Sequence, residues 1–137
     1  MDMNLQMSYD LEDVIDNLKY TYISKSIIHG NGLFASENLP KDIVLGVLDG
    51  QYIKWDLHKE YDFTLEWNAI TKDTLLVRPY RTKYSFINHS RTPNLEIQYN
   101  PLSIKTLRNI LKNEELTLDY RKEPLQDEYI ENKGSYL

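Results

Sequence analysis

Cysteine is absent from the 137 residues of this chain, which excludes disulfide bonds and every thiolate metal site within them. The 3 histidines, His29, His58 and His89, are widely spaced and form no His-x-x-x-His pattern, so we expect no metal site. No apolar run approaches the roughly 20 residues that a membrane helix needs. The N-terminal sequence "MDMNLQMSYD" also lacks a basic start followed by an apolar stretch, so no secretory signal is expected.

Length and charge narrow the possible classes of protein further. A chain of 137 residues has room for one domain. The apolar fraction of 41% and the charged fraction of 27% are typical of a soluble protein. A net charge of −5 argues against binding to the phosphate backbone of nucleic acids and fits a basic protein partner. We therefore expect neither a nucleic acid nor a membrane as partner.

The N-terminal segment predicts one short amphipathic helix. Apolar residues recur at i, i+3, i+4 and i+7 in "LEDVIDNL" (residues 11–18), after Ser8 or Asp10 as N-cap. This helix belongs to an extension over residues 1–19 and is expected to cover the edge of the domain or to meet a partner subunit. The domain body then spans residues 20–121, followed by a tail at 122–137.

From Tyr20 onward the residue types predict a mostly β domain. The segments "YTYISKSII" (20–28), "DFTLEW" (62–67), "TLLVRP" (74–79) and "EELTLDY" (114–120) are rich in β-branched and aromatic residues and predict strands. Asp49-Gly50 predicts a hairpin turn, and so does Asn100-Pro101. In the tail, "EPLQDEYI" (123–130) predicts a brief helix with Pro124 in its first turn.

Three polar patches interrupt this pattern, and each has an ordinary explanation when it is taken alone. "HGNGLFA" (29–35) is a glycine-containing turn, since the third glycine of a dinucleotide fingerprint is missing. "YSFINHSRTPNLEI" (84–97) places Asn88, His89 and Ser90 in an apolar stretch, which is typical of a loop that satisfies its own hydrogen bonds. "NEELTLDYR" (113–121) reads as a strand that ends with a buried tyrosine.

Taken together, "GNGLFA", "YSFINHSRTPN" and "EELTLDY", in this order and at these separations, resemble the SET-domain family of protein lysine methyltransferases. The resemblance covers roughly Tyr22 to Arg121. It implies a β-clip fold of several small sheets, in which the Asn-His-Ser segment passes beside the C-terminal "DY" segment in a knot-like arrangement.

The resemblance also implies S-adenosylmethionine as cofactor. Asn88 and His89 correspond to the residues that contact the cofactor in the family: the Asn amide offers a donor and an acceptor, and the His backbone reads the adenine edge. Gly30, Asn31 and Gly32 would contact its amino-acid end through their backbone. In the same loop, Ser90 is expected to bond internally and Asn94 to cap the following turn.

Tyr120 is the residue to which the resemblance assigns catalysis and a further cofactor contact. Its hydroxyl would lie near the transferred methyl group without acting as a strong base. Leu118 and Tyr84 are expected to line the lysine channel, where desolvation favours the neutral amine. Leucine at position 118 has no hydroxyl to hold a water molecule, which favours di- or trimethylation. Three further tyrosines are candidates for the channel or the cofactor pocket, with ordinary packing as the alternative for each: Tyr61, Tyr129 and Tyr136.

The chain departs from the family in the region that closes the channel. Many members complete it with a cysteine-rich zinc module, which a chain without cysteine cannot form, so the tail or a second subunit of a homodimer must do so. The expected substrate is a histone or another basic protein with an exposed lysine, and the expected location is the cytoplasm, or a host nucleus if the source is a virus or an intracellular bacterium. The alternative function is a catalytically silent module that binds the cofactor or a lysine-bearing tail.

Overall fold

The computed structural model describes residues 13–57 and 66–137, with the side chains of Glu128 and Lys133 left aside. Ten strands and one complete α-helix lie in these ranges, and residues 55–57 are also helical. The strands are β1 Thr21–Lys25, β2 Asn31–Ala35, β3 Val44–Val47, β4 Gln51–Lys54, β5 Glu66–Thr71, β6 Thr74–Arg78, β7 Asn88–His89, β8 Leu95–Gln98, β9 Ser103–Thr106 and β10 Glu115–Leu118. Helix α1 spans Asp127–Lys133, and two 3-10 turns span Lys83–Phe86 and Tyr120–Lys122.

The strands form three small sheets. One sheet has the order β1-β2-β10-β7, the second β3-β9-β8 and the third β4-β6-β5. Most pairs are antiparallel, but β7 runs parallel to β10, with Asn88 opposite Thr117 and His89 opposite Leu118. The mostly β prediction with several small sheets is therefore confirmed, and the β7–β10 pair displays the predicted passage of the Asn-His-Ser segment beside the "DY" segment.

The main core lies between the first two sheets. Its centre is aliphatic and consists of Leu33 of β2, Ile104 of β9 and Leu116 of β10, which are all completely buried. Shortening a fully buried leucine or isoleucine to alanine typically destabilises a domain by about 2–5 kcal/mol. The core therefore fixes β10, the strand that positions the polar residues of β7.

A second, aromatic cluster attaches the tail to the third sheet. Trp55 and Trp67 meet at 6.0 Å between ring centroids, and Tyr129 of α1 contacts both rings edge-on, at 6.3 and 5.4 Å. Leu125 is buried in the same cluster. Edge-to-face pairs of this kind add about 0.5–1.5 kcal/mol beyond the burial of their area. The tail is thus packed on its own chain.

The predicted N-terminal helix requires correction. Its first part, up to residue 12, lies outside the described residues, but residues 14–20 are not helical. Ile15 instead forms a parallel bridge with Thr82, its N–H donates to the Arg81 carbonyl at 3.0 Å, and Leu18 is buried in the main core. Extended pairing satisfies the backbone hydrogen bonds of this segment and still buries an apolar residue. Tertiary contacts therefore outweigh the helical preference that the spacing of apolar residues indicates.

The hairpin predicted at Asp49-Gly50 is also wrong. Strands β3 and β4 flank this dipeptide, yet β3 pairs with β9 and β4 pairs with β6. A side chain at Gly50 would lie 2.5 Å from the Val77 carbonyl oxygen, so the glycine serves a close approach to β6. The other hairpin is confirmed, since β8 and β9 pair antiparallel around Asn100-Pro101. The predicted tail helix exists but begins at Asp127, beyond Pro124.

Within the described residues, no helix is long and apolar enough to cross a membrane, and no group of His, Asp or Glu side chains could hold a metal ion.

Candidate functional site

Two short segments, far apart in sequence, form the centre of the site. Strand β7 is the outermost strand of its sheet and pairs only with β10 among the described residues. The Ser90 N–H continues this pairing by donating to the Leu118 carbonyl at 2.9 Å. Asn88 and His89 are therefore held against the core on one side while the other side of β7 stays open.

The Asn88 amide joins three elements. Its Nδ2 donates to Glu115 Oε2 at 2.9 Å, to the His29 carbonyl at 3.1 Å and to Ser26 Oγ at 3.2 Å. Glu115 also accepts from Ser26 Oγ at 2.8 Å. This network fixes the glycine turn between β1 and β2 against β7 and β10, so the structure gives Asn88 a positioning contact toward that turn.

The two glycines of the turn have different roles. Gly30 has a φ of +49°, a conformation that other residues adopt with strain, and a Cβ there would meet nothing within 4 Å. A Cβ on Gly32 would lie 2.4 Å from Glu115 Oε2, so this glycine makes room for the carboxylate. The Asn31 carbonyl lies 3.4 Å from the Asn88 amide nitrogen.

His89 is nine-tenths buried and has a defined tautomer. Its Nδ1 accepts from the Tyr120 N–H at 3.0 Å, so in the neutral ring the proton is carried by Nε2. Nε2 is buried and has no partner among the described residues. The ring lies 5.3 Å from the ring of Tyr120 and 6.0 Å from that of Tyr136, centroid to centroid. His89 thus offers one unused donor beside two tyrosine rings.

Asp119 stabilises the turn that carries Tyr120. Its carboxylate accepts from the Arg121 guanidinium at 2.9 and 2.7 Å and from the Arg121 N–H at 3.0 Å. Hydrogen bonds from Arg121 hold the pKa of Asp119 at about 2, so this group stays ionised. Arg121, to which the sequence analysis assigns no role, therefore holds the turn.

Tyr120 is a neutral hydrogen-bond donor. Its hydroxyl donates to the carbonyl of Ile87, which is the residue immediately before β7. Burial, followed by the nearby Glu123 carboxyl, raises the pKa of Tyr120 well above its ordinary value. The hydroxyl therefore remains protonated at neutral pH and can orient a ligand, but it is no base.

The open side of β7 faces a cavity of about 670 Å³, here named the histidine cavity. Its walls are formed by Ile28, His29, Ser85, Asn88, His89, Tyr120 and Tyr136. The predicted cofactor residues Asn88, His89 and Tyr120 thus come together around one space. Gly30, Asn31 and Gly32 do not line it; the residues just before them, Ile28 and His29, do.

A second cavity of about 200 Å³ also borders Tyr120 and is here named the aromatic cavity. Its aromatic walls are Trp67, Tyr84, Tyr120, Tyr129 and Tyr136. Glu66 and Glu123 add two carboxyl groups. Of the residues predicted for the channel, Tyr84 lies here, buried, with its hydroxyl 3.4 Å from Glu123 Oε2.

A buried ion pair supports this cavity from behind. Arg78 and Glu66 are 2.5 Å apart, and only 1% and 5% of their side chains are exposed. Glu66 also accepts from the Thr82 N–H at 2.9 Å and from the Ser85 hydroxyl. Burial by itself raises the pKa of Glu66, but the hydrogen bonds from Ser85 and Thr82 and the charge of Arg78 outweigh it, so the pKa is lowered. Arg78 is neutralised by this partner.

The other predicted channel residue, Leu118, lies elsewhere. It is buried in the main core and lines a third cavity, of about 350 Å³, together with Leu95, Ile97 and Leu107; we name it the leucine cavity. Tyr84 and Leu118 therefore do not share a cavity. Glu123 lines both the aromatic and the leucine cavity.

Sequence reasoning missed several site residues and misjudged one. Ser26 and Glu123 lie outside the three motifs, and Glu115 lies within "EELTLDY" but was assigned no role, although a carboxylate on a mostly buried strand was a usable signal. Asn94 does not cap the next turn: it is buried, its Nδ2 donates to the Glu115 carbonyl and its Oδ1 accepts from the Thr117 N–H, both at 2.8 Å. Ser90 does bond within its loop, to the Thr92 N–H at 3.0 Å.

Comparison with known proteins identifies the family of this chain. A family model described as the SET domain matches residues 30–121. A histone-lysine N-methyltransferase, H3 lysine-4 specific, of Chaetomium globosum is 31% identical over 122 residues, which cover 73% of this chain and 11% of that protein. The Neurospora crassa protein of the same description is 30% identical over 122 residues, covering 73% of this chain and 9% of that protein.

Another relative is the histone-lysine N-methyltransferase trithorax of Drosophila virilis. It is 29% identical over an alignment of 146 residues, gaps included, which covers 93% of this chain and 4% of that protein. This chain spans about a tenth or less of the length of these curated relatives. The family match includes the glycine turn, β7 and β10, the segments that meet around the histidine cavity. The chain belongs to the SET-domain family of protein lysine methyltransferases.

Proposed function

We propose that this protein transfers a methyl group from S-adenosylmethionine to the side-chain amine of a lysine in a basic protein. The observation that carries the proposal is the position of Tyr120, which forms part of the wall of both the histidine cavity and the aromatic cavity. A residue at the boundary of two adjacent spaces can contact two ligands at once. Methyl transfer requires such a boundary, because donor and acceptor approach in line from opposite sides.

The histidine cavity fits the cofactor in size and chemistry. Its volume of about 670 Å³ lies within the roughly 300–1,000 Å³ of small-molecule sites. The buried Nε2–H of His89, which has no partner among the described residues, is a donor suited to an acceptor on the ligand. Tyr136 lies edge-on to the ring of His89 and provides an aromatic wall for a flat base.

The aromatic cavity suits the side chain of a lysine. Five aromatic rings can enclose an alkyl chain, and their faces attract an ammonium or methylammonium group. The carboxyl groups of Glu66 and Glu123 add negative character. Removing the lysine from water in this space lowers its pKa and favours the neutral amine that the reaction needs.

Each residue then has a defined task. When bound, S-adenosylmethionine supplies an electrophilic methyl group on a sulfonium centre. Asn88 holds the glycine turn in position. The Tyr120 hydroxyl donates its hydrogen to the Ile87 carbonyl and presents its oxygen at the boundary of the cavities. Tyr136 and Tyr129 of the tail exclude water. Holding two reactants in line can account for roughly 7–11 kcal/mol of a reaction barrier, so positioning by these residues is sufficient to explain a large acceleration.

The substrate proposed is a histone or another basic protein, consistent with the net charge of −5. Two of the relatives are described as H3 lysine-4 specific, which makes the H3 tail a suitable first substrate to test. The tail of this chain already covers the aromatic cavity, so we propose that closure of the channel occurs within one chain; a homodimer is not needed for it.

The test is transfer of labelled methyl groups from S-adenosylmethionine to a panel of core histones and other basic proteins, by wild type and by Tyr120→Phe. We expect lysine labelling by wild type and a loss of at least about 100-fold in Tyr120→Phe, with cofactor affinity changed less than about threefold. Cofactor binding without labelling by wild type would instead favour the silent module. Absence of cofactor binding would contradict the assignment of the histidine cavity.

Leu118 offers a second, finer prediction about the product. Leu118 lies in the leucine cavity, which shares Glu123 with the aromatic cavity. Because leucine has no hydroxyl to hold a water molecule, we expect di- or trimethylated product from wild type, and Leu118→Tyr should shift the product toward monomethylation. Mass spectrometry of the product peptide measures this directly. An unchanged product distribution in Leu118→Tyr would mean that the leucine cavity does not communicate with the lysine site.

A further inference from the structure

Glu123 has an environment that the proposed function has not yet used. It follows the turn of Tyr120, accepts from the Tyr84 hydroxyl at 3.4 Å and lines the aromatic cavity. None of the ion pairs formed between the described residues includes it. Arg78, the nearest buried cation, is committed to Glu66 at 2.5 Å. A largely buried carboxyl without a paired cation normally carries a desolvation penalty, so its position calls for a cationic ligand.

We propose that Glu123 receives the ammonium group of the substrate lysine in the aromatic cavity and accepts one of its protons before methyl transfer. This inference rests on the function proposed above. In the step, one N–H bond of the ammonium breaks, an O–H bond forms on a Glu123 carboxylate oxygen, and the electron pair stays on nitrogen. The products are a neutral amine and a neutral carboxylic acid, both of which suit a site without water.

The acid–base character of Glu123 supports this role. Burial raises the pKa of Glu123 to about 7, although hydrogen bonds from the Ala69 N–H and the Tyr84 hydroxyl and the charge of Arg78 act in the opposite direction. A group that titrates near neutral pH can accept a proton and give it up again. Tyr120 cannot do so, because its own pKa is raised well above the ordinary value.

The groups around Glu123 differ between its two sides. The aromatic cavity presents Glu66, Tyr84, Tyr120, Tyr129 and Tyr136, with Arg78 behind Tyr84 at 5.6 Å from its ring centroid. The leucine cavity presents Glu96, Tyr99, Asp119 and Lys122. Because Glu123 lines both spaces, its proton has a route to solvent through the leucine cavity that does not pass the bound lysine. The carboxyl can thereby lose its proton and become ionised again after each transfer.

The first experiment measures binding of a lysine side-chain mimic and needs no turnover. Affinity for n-butylammonium is compared with affinity for n-butanol, by calorimetry at pH 6 and pH 8, in wild type, Glu123→Gln and the control Glu131→Gln. Glu131 is an exposed carboxyl on α1. We expect wild type and Glu131→Gln to bind butylammonium at least about fivefold more tightly at pH 8 than at pH 6, as expected for a carboxyl that ionises near pH 7. Glu123→Gln should lose this difference, and butanol should bind all three proteins independently of pH.

The second experiment measures the pH profile of kcat/KM with core histones. Wild type should rise to a plateau with a midpoint near pH 7, the pKa of Glu123. Glu123→Gln should lose that limb and fall by about 10²-fold, a typical effect of removing an acid–base group. If Glu123→Gln does not fold, as judged by circular dichroism, Glu123→Asp retains a carboxyl and should keep the limb at reduced rate.

The two proposals fail in distinguishable ways. A Glu123→Gln enzyme with the rate and pH profile of wild type, or with unchanged binding of butylammonium, overturns the role of Glu123 and leaves the methyltransferase intact. A wild type that binds butylammonium through Glu123 but labels no protein supports the cation site and contradicts the proposed function.

Discussion

The histidine cavity and the aromatic cavity meet at Tyr120 but are built in different ways. The histidine cavity depends on backbone pairing and on polar side chains in short motifs: β7 beside β10, and the Asn88 amide joined to Glu115 and the glycine turn. The aromatic cavity depends on the packing of large rings from β5, the two 3-10 turns and the tail. The difference shows that the proposed cofactor site is encoded in a few short motifs that meet in the fold, whereas the proposed lysine site is assembled from single residues that belong to no motif.

The largest expected effect tests the buried ion pair behind the aromatic cavity. Arg78→Met leaves Glu66 buried without its cation, and we expect a loss of about 3–5 kcal/mol in the free energy of unfolding. Urea denaturation measures this value. The matched control is Arg108→Met, whose partner Glu114 is partly exposed, with an expected loss below about 1 kcal/mol. Equal losses in the two variants would show that the buried pair has no special structural role.

The next effect concerns the histidine cavity alone. Asn88→Ala removes the donor that joins Glu115, Ser26 and the His29 carbonyl, and we expect the affinity for S-adenosylmethionine to fall about 10- to 100-fold. Calorimetric titration with the cofactor measures the change. The control Ser90→Ala removes only contacts within its own loop and should change affinity less than about twofold.

A smaller effect should distinguish the two cavities through two tyrosines of the tail. Tyr136 lines both cavities, whereas Tyr129 lines only the aromatic one. We therefore expect Tyr136→Ala to weaken cofactor binding and raise the KM for the protein substrate, each by about 5- to 10-fold. Tyr129→Ala should raise only the KM, because loss of a ring contact is worth about 0.5–1.5 kcal/mol. Weaker cofactor binding in Tyr129→Ala would mean that the cavities are not independent.

The smallest effect is a pH dependence of stability. The folded-state pKa of Glu123 is about 7, above the ordinary value of 4.5, so between these values the folded state binds more protons than the unfolded state. Stability from this group is therefore present at low pH and is lost as the pH rises through 7. Between pH 5 and pH 8 the Tm of wild type should fall by a few degrees more than that of Glu123→Gln. Parallel curves would contradict the raised pKa.

The sequence predicts these regions unequally, and particular residues show why. Asn88, His89 and Tyr120 were placed together correctly because their motifs imply that two segments meet, and the β7–β10 pairing brings them there. The hairpin at Asp49-Gly50 failed because local turn chemistry does not determine which sheet a strand joins. Glu123 could not be found, since its character comes from burial by rings that are distant in sequence, and a lone glutamate in the tail carries no such information.

The hydrogen bond from Ser26 to Glu115 spans 89 positions of the chain. During synthesis on the ribosome, the glycine turn therefore emerges long before β10 and the tail, which contribute the last contacts around the histidine cavity. A nascent chain that stops short of Glu115 lacks the carboxylate that holds Asn88, and one that stops short of Tyr136 lacks a wall of the cavity. Such long-range contacts also make folding slow. Because a ligand stabilises only the state that binds it, the cofactor proposed for this cavity should protect only chains that extend through Tyr136, and it would thereby act as a check on finished molecules.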